Sequence, residues 1–172
     1  NKTIEKKINA TYFKKAKYIP NAINTKEKKY STNTIKSNNK FVVGAMGRLV
    51  KKKGFDLLIN TCSEMKNVEL LIAGQGEEFN NLNNISKNAN NIKLLGWIES
   101  KDKFFSNIDI FCSSSIEEPF GIVIIEAMAR GVAIVSTKCN GPVDIIKNNK
   151  DGLLIEINNK VELMSAITKL KD

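Results

Sequence analysis

Six short apolar segments alternate with segments of helical character over residues 41–172, and this alternation restricts the possible folds more than any other feature. The apolar segments are rich in Val, Ile and Leu almost throughout, which is typical of parallel strands that are covered on both faces. Strands that alternate with helices favour an α/β domain with a doubly wound, mostly parallel sheet. The predicted strands are FVVGAMG, VELLIAGQG, IKLLGW, IDIFCSS, VAIVST and DGLLI.

Helices on both faces of such a sheet give three layers, α/β/α. In a domain of this kind, ligands bind beyond the carboxyl ends of the strands, so the loops that follow the strands are candidates for a binding site. Each of these loops contains Gly or Pro, and Gly allows the backbone to approach a ligand closely. The predicted helical segments are GFDLLINTCSEM, EEFNNLNNISKN, SKDKFFSN, FGIVIIEAMARG, PVDIIKN and KVELMSAITKLK.

The first forty residues differ from the rest of the chain in charge. They contain eleven Lys and two acidic residues, whereas residues 41–172 contain sixteen basic and sixteen acidic residues. Residues 4–17 have helical character, residues 18–24 (YIPNAIN) are predicted to be extended, and residues 25–40 are polar without periodicity, as in a linker. We interpret the positive charge first as a compositional bias of solvated segments, and alternatively as a basic face near anionic lipid.

Several classes of site are absent from the sequence. The chain has no His, which excludes His-based acid–base catalysis, and Cys62, Cys112 and Cys139 lack the spacing of a zinc site. It contains no P-loop, no complete GxGxxG motif and no DxD motif that would hold a metal against a nucleotide. Cys62 and Cys112 lie in apolar segments, so we expect reduced core residues. No apolar run approaches the roughly 20 residues of a transmembrane helix.

Basic residues follow the first predicted strand in the segment GAMGRLVKKKGFD. Arg48 comes directly after the strand, and Lys53 precedes Gly54 at the entrance of the next helix. A planar guanidinium and a compact ammonium group are suited to a phosphate or diphosphate. We therefore predict that Arg48 and Lys53 bind phosphate, whereas Lys51 and Lys52 are solvated lysines.

Two acids flank the start of a predicted helix in SSSIEEPFGIVIIEAMARG. Pro119 makes Glu118 extended, and the residues from Phe120 to Ile122 then offer backbone N–H groups to an anion at the helix start. Because ionised carboxylates only accept hydrogen bonds, Glu118 and Glu126 could bind the hydroxyls of a hexose and a ribose. Equally, Glu118 could be an acid that interacts with the helix dipole, and Glu126 an internal ion-pair partner.

The third strand ends in LLGWIES, which supplies Gly96, Trp97 and Ile98. A nucleotide base could stack there or bond to the backbone, and Trp97 as an ordinary core residue is an equally open interpretation.

These motifs resemble, in the same order, the C-terminal donor domain of GT-B glycosyltransferases, and most closely the large retaining glycosyltransferase family 4. The resemblance covers roughly residues 18–172. It implies a Rossmann-like donor-binding domain over residues 41–172, with residues 1–40 from the interdomain region, and an N-terminal acceptor domain that this chain lacks. The segments that carry it are GRLVKKKGFDLLI, LLIAGQGEE, IKLLGWIES, EEPFGIVIIEAMARG and VAIVSTKCNGPVDII.

The resemblance also implies a donor substrate, namely a nucleoside diphosphate sugar for which UDP is the expected nucleotide, with no cofactor and no metal. Arg48 and Lys53 would hold the donor diphosphate, and Glu118 would bind the donor sugar. These three are the expected catalytic residues. The ribose hydroxyls would bind Glu126, the base would meet Gly96, Trp97 and Ile98, and the sugar or phosphate would meet the backbone of Phe120, Gly121 and Ile122.

The sequence departs from the family pattern at a few positions. Ala22 and Asn24 stand where Gly and Asp are usual, Ser114 replaces the usual Pro, and Asp144 in NGPVD replaces a usual Glu. We expect these departures to leave the fold intact. They concern the sugar pocket and the contacts of the fourth loop.

Two other functions remain open. A GT-B-like sugar-nucleotide epimerase shares the nucleotide site but depends on acid–base residues that the sequence does not show. A non-enzymatic nucleic-acid or membrane-surface module would use residues 1–40, and nothing in residues 41–172 favours it. The expected partners are therefore a nucleotide-sugar donor and a glycan or lipid-linked acceptor, without nucleic acid. The expected location is cytoplasmic, with peripheral contact to the inner face of the membrane as an option.

Overall fold

A computed structural model describes residues 6, 19, 21–23 and 40–172 of the 172-residue chain. Only residue 6 of the predicted helix over residues 4–17 and only residue 40 of the predicted linker over residues 25–40 are among the described residues. Of the predicted extended segment over residues 18–24, residues 19 and 21–23 are described, and they belong to no helix or strand. The predictions for residues 41–172 can be compared with the structure.

The six predicted strands form one sheet in which every neighbouring pair is parallel, in the order β3-β2-β1-β4-β5-β6. The chain progresses outward from β1 on one side and from β4 on the other. The topological switch point, where doubly wound sheets bind ligands, therefore lies between β1 and β4. The strands are β1 (Phe41–Met46), β2 (Val68–Ala73), β3 (Ile92–Gly96), β4 (Ile110–Ser113), β5 (Ala133–Thr137) and β6 (Leu153–Ile155).

Helices cover both faces of the sheet, which confirms the predicted α/β/α architecture. Successive strand residues point to opposite faces, so that Val43 packs with one helical layer and Val42 with the other. One layer contains α1, α2 and α6, and the other contains α3 and α4. The helices are α1 (Phe55–Cys62), α2 (Phe79–Ser86), α3 (Lys101–Ser106), α4 (Ile122–Met128), α5 (Pro142–Ile145) and α6 (Lys160–Lys171), and a 3-10 turn spans Lys51–Lys53.

Helix α4 begins two residues later than the sequence pattern predicts. Gly121 precedes it with a φ of 99°, a left-handed conformation that cannot be part of a right-handed α-helix. Phe120 therefore belongs to the loop after β4. Within the part of the chain that the structure describes, no helix has the length and apolar character needed to cross a membrane.

Candidate functional site

A cleft of about 670 Å³ opens at the carboxyl ends of β1, β2 and β3. The sequence-predicted residues Arg48, Trp97 and Ile98 line it together. Gly96 lies at the end of β3. Its carbonyl accepts a hydrogen bond from the N–H of Gly74 at 2.7 Å. The structure thus brings the predicted phosphate-binding Arg and two of the three predicted base-binding residues, Trp97 and Ile98, into one cavity.

Trp97 is an exposed side chain at this cleft and not a core residue. Its relative exposure is 74%, so the interpretation of Trp97 as an ordinary core residue is wrong. The residue follows β3, which is an edge strand with a neighbour on one side only. Ile98 behaves differently, since it is half-buried against the apolar layer of α3 and α4. An exposed indole beside a cleft can present its face to a planar ligand.

A much smaller pocket of about 20 Å³ adjoins the cleft, because both are lined by Met46 and Val123. Lys53, Glu118 and Gly121 line this pocket. The Lys53 ammonium donates a hydrogen bond to the Glu118 carboxylate, and the two side chains are 22% and 15% exposed. The predicted catalytic Lys and Glu are therefore in direct contact, beside the cavity that holds Arg48.

Backbone contacts fix the loops that carry Lys53 and Glu118. The Ser114 hydroxyl donates to the carbonyl of Lys53 at 3.1 Å, and the N–H of Ile116 donates to the carbonyl of Lys52 at 2.8 Å. The loop after β1 and the loop after β4 are thus joined across the switch point. Ser114 occupies a position at which the sequence departs from the family pattern, and its hydroxyl provides one of these contacts.

The four basic residues after β1 differ in their positions relative to the cavities. Arg48 lines the cleft and Lys53 lines the adjoining pocket, whereas Lys51 and Lys52 line neither of these two cavities. Arg48, Lys51 and Lys52 are all exposed. A guanidinium and an ammonium group are both suited to bind phosphate oxygens. The prediction that Arg48 and Lys53 bind phosphate agrees with this placement and stays a prediction.

Glu126 lies in the middle of α4 and forms an ion pair with Lys101 from the first turn of α3. The Lys101 Nζ donates to Oε1 and Oε2 of Glu126 at 2.7 and 2.9 Å. The interpretation of Glu126 as an ion-pair partner is therefore confirmed, and its role toward ribose stays a prediction. The sequence analysis missed Lys101, which lines the cleft. The only signal was its position directly after the loop GWIES.

The backbone segment from Phe120 to Ile122 is only partly at the site. Gly121 lines the small pocket, whereas Ile122 is 45% exposed and Phe120 is half-buried. The N–H of Gly141 donates to the carbonyl of Glu118 at 2.8 Å, so the loop before α5 supports the loop that carries Glu118. The predicted N–H groups are thus next to Glu118, and their contact with a ligand remains a prediction.

All three cysteines are free thiols and are buried. Burial raises the pKa of Cys62 to about 12 and the pKa of Cys112 well above its usual value. Burial also raises the pKa of Cys139, to which the nearby Glu118 carboxylate contributes. The prediction of core residues at Cys62 and Cys112 is confirmed. Among the residues described by the structure, no group of three or more Asp, Glu, Cys or His side chains could hold a metal ion.

Comparison with known proteins connects this arrangement to a family. Residues 26–172 match the family model for glycosyl transferases group 1. The chain is 33% identical over 132 residues to the lipopolysaccharide core biosynthesis glycosyltransferase LpsE of Rhizobium meliloti, covering 75% of this chain and 39% of LpsE. It is 31% identical over 142 residues to the capsular polysaccharide biosynthesis glycosyltransferase CapM of Staphylococcus aureus, covering 77% of this chain and 37% of CapM.

A solved structure has the same fold. The crystal structure of Anabaena Alr3699/HepE in complex with UDP-glucose superposes with a TM-score of 0.74 at 28% identity, covering 78% of this chain and 40% of that one. The chain thus spans about two fifths of the length of the relatives it matches. Since the family match extends over most of its length, the chain belongs to the glycosyl transferases group 1 family.

Proposed function

We propose that residues 41–172 are the C-terminal, donor-binding domain of a GT-B glycosyltransferase of family 4. The enzyme would transfer a sugar from a nucleoside diphosphate sugar to a glycan or lipid-linked acceptor, with retention of the anomeric configuration. One observation carries the proposal: the cleft with Arg48 adjoins the contact between Lys53 and Glu118 at the switch point of the sheet. This is where a doubly wound sheet binds its ligand.

The residues at the two cavities can hold the parts of such a donor. Arg48 and Lys53 would bind the diphosphate, and Lys53 can do so while it contacts Glu118, because an ammonium group has three N–H donors. Trp97 would contact the base from the rim of the cleft. Glu118 would accept hydrogen bonds from the sugar. UDP is the proposed nucleotide, since the HepE structure, 28% identical to this chain, contains UDP-glucose.

The proposed reaction needs no nucleophile from this chain. The oxygen of an acceptor hydroxyl would form a bond to the anomeric carbon, on the face from which the diphosphate leaves. The bond between the anomeric carbon and the phosphate oxygen would break, and the hydroxyl proton would pass to that oxygen. The products are a glycoside and a nucleoside diphosphate. Arg48 and Lys53 would stabilise the negative charge that develops on the leaving group.

The acceptor would bind to a second domain outside residues 41–172, consistent with relatives of which the chain spans about two fifths. Residues 1–40 would belong to the region between the two domains. We propose a cytoplasmic enzyme, with peripheral contact to the inner face of the membrane as a further option for its basic segment. The 172-residue chain would bind donor weakly and transfer little sugar by itself.

Ligand-observed NMR with UDP, GDP, ADP and NAD tests the proposal. We expect selective binding of one nucleoside diphosphate, with UDP as the proposed one, and weaker binding to Glu126→Ala. Glu117→Ala is the control for Glu126→Ala. It also removes one carboxylate, but an exposed one, in the same loop as Glu118. Equal binding of all four ligands, or equal effects of the two substitutions, would contradict the proposed site. The same titration of a longer chain that includes the second domain would show whether failure to bind comes from the absence of that domain.

A further inference from the structure

Lys101 covers the carboxylate of Glu126 from the solvent side. The Glu126 side chain is 16% exposed, whereas that of Lys101 is 49% exposed. Both carboxylate oxygens accept hydrogen bonds from the same ammonium group, at 2.7 and 2.9 Å. Lys101 thus extends from solvent to a partly buried acid on the neighbouring helix.

Lys101 also connects Glu126 with the cleft. It is part of the cleft lining together with Glu99 and Val123, whereas Glu126 is not. A ligand in the cleft can therefore contact Lys101, whose ammonium group occupies both carboxylate oxygens of Glu126. An ionised carboxylate only accepts hydrogen bonds, so Lys101 and the hydroxyls of a ligand compete for the same two oxygens.

The helices on which this pair sits are joined by separate contacts. Arg130 donates from Nε and Nη2 to one carboxylate oxygen of Asp102, at 3.0 and 2.6 Å. Its Nη1 donates to the backbone carbonyl of Glu126 at 2.7 Å, and its guanidinium lies 4.9 Å from the ring centroid of Phe105. These contacts connect α3 with α4 independently of Lys101. The Lys101 side chain can therefore leave Glu126 by changes in its own rotamer, without movement of either helix.

We propose that Lys101 is a latch on Glu126, which the ribose of the donor nucleotide opens, and that this latch sets the affinity and ribose selectivity of the site. The proposal rests on the proposed function, in which ribose hydroxyls bind Glu126. The two hydroxyls replace the ammonium group, which turns toward solvent. The free energy needed to open the ion pair lowers the affinity for every nucleotide that uses both carboxylate oxygens.

The test compares UDP affinity in Lys101→Met and Lys103→Met variants of the 172-residue chain. Methionine keeps an unbranched side chain and removes the charge. Lys103 is exposed on the same helix and does not line the cleft, so its substitution measures the general effect of one positive charge. We expect Lys101→Met to bind UDP about two- to fivefold more tightly than Lys103→Met, the range expected for a partly exposed ion pair. General attraction between cations and UDP predicts the opposite sign.

A second ligand distinguishes the latch from a general structural effect of Lys101→Met on nucleotide affinity. The gain for Lys101→Met is expected to be smaller with 2′-deoxy-UDP, which needs one carboxylate oxygen and can leave Lys101 on the other. Unchanged UDP affinity would overturn the latch, and so would weaker binding, which would make Lys101 a ligand of the diphosphate. If wild type and both variants fail to bind UDP, the same comparison is made in the longer chain that includes the second domain, and failure to bind there overturns the proposed function and the latch with it. Melting temperatures of the two variants show that both are folded.

Discussion

The Lys53 ammonium donates a hydrogen bond to the Glu118 carboxylate and so connects the loop after β1 with the loop after β4. The two residues are 65 positions apart in the chain and meet at the switch point of the sheet. The ion pair holds the Lys53 side chain in one orientation beside the cleft. Lys52, its neighbour in the chain, is exposed and lines neither of the two cavities.

This difference predicts unequal effects of two adjacent substitutions. We expect Lys53→Met to weaken UDP binding by about tenfold or more, because a charge-assisted hydrogen bond to phosphate contributes about 1.5–3 kcal/mol. The control Lys52→Met should change the affinity by less than about twofold, since an exposed charge contributes little. Isothermal titration of both variants measures the difference. Equal losses would mean that only net charge matters and that Lys53 has no specific contact.

We predict that Gly54 is required for the contact between the loop after β1 and the loop after β4. Its φ is 61°, and a Cβ at this position would lie 2.3 Å from the backbone carbonyl oxygen of Ser114. Gly131 has a similar φ of 69° but no atom within 4 Å of a Cβ. Gly131→Ala should cost only the strain of a left-handed residue, about 1–2 kcal/mol. Gly54→Ala should cost clearly more, and urea unfolding of the two variants measures the difference. Similar losses would contradict the tight contact.

The buried thiols predict a loss of stability at alkaline pH. Burial raises the pKa of Cys62 from 9.0 to about 12. The thiol therefore keeps its proton in the folded chain above pH 9, while the unfolded chain loses it. Its contribution to stability is complete below pH 9 and decreases as the pH rises toward 12. At pH 10 the loss is about 1.4 kcal/mol for one such thiol.

Urea unfolding of wild type and Cys62→Ala at pH 8 and pH 10 checks this prediction. The substitution removes the titrating group and leaves the others, so other alkaline effects cancel in the comparison. Wild type should be the more stable chain at pH 8, and the difference should shrink by about 1.4 kcal/mol at pH 10. A constant difference would show that the thiol of Cys62 ionises in the folded chain at its usual pKa.

The fold could be predicted from the sequence because local patterns determine it. Apolar runs such as Phe41–Met46 are short, lack alternation and end in Gly, which identifies buried parallel strands. The order of strands and helices then limits the topology. The sequence pattern places the start of α4 two residues early, at Phe120, because an apolar pattern does not show the backbone conformation of Gly121.

The site could be predicted less completely, because side-chain pairing depends on tertiary packing. Arg48 and Lys53 can be recognised from their position after a predicted strand, because the topology alone places such residues at the carboxyl ends of the parallel strands. The pair between Lys101 and Glu126 joins residues 25 positions apart on two helices, and no local pattern specifies it. The exposure of Trp97 depends on the place of β3 at the sheet edge, which the strand order decides.

The central claim is that the cleft at the carboxyl ends of β1, β2 and β3 binds a nucleoside diphosphate. Trp97 is the only Trp in the sequence, so its indole N–H gives a single, assigned signal in a ¹H–¹⁵N spectrum. The most direct test is a titration of the ¹⁵N-labelled chain with UDP. The account predicts a saturable shift of this signal, with a clearly higher apparent Kd in Arg48→Ala. Saturable UDP binding that leaves the Trp97 signal unchanged would place the nucleotide elsewhere and contradict the account.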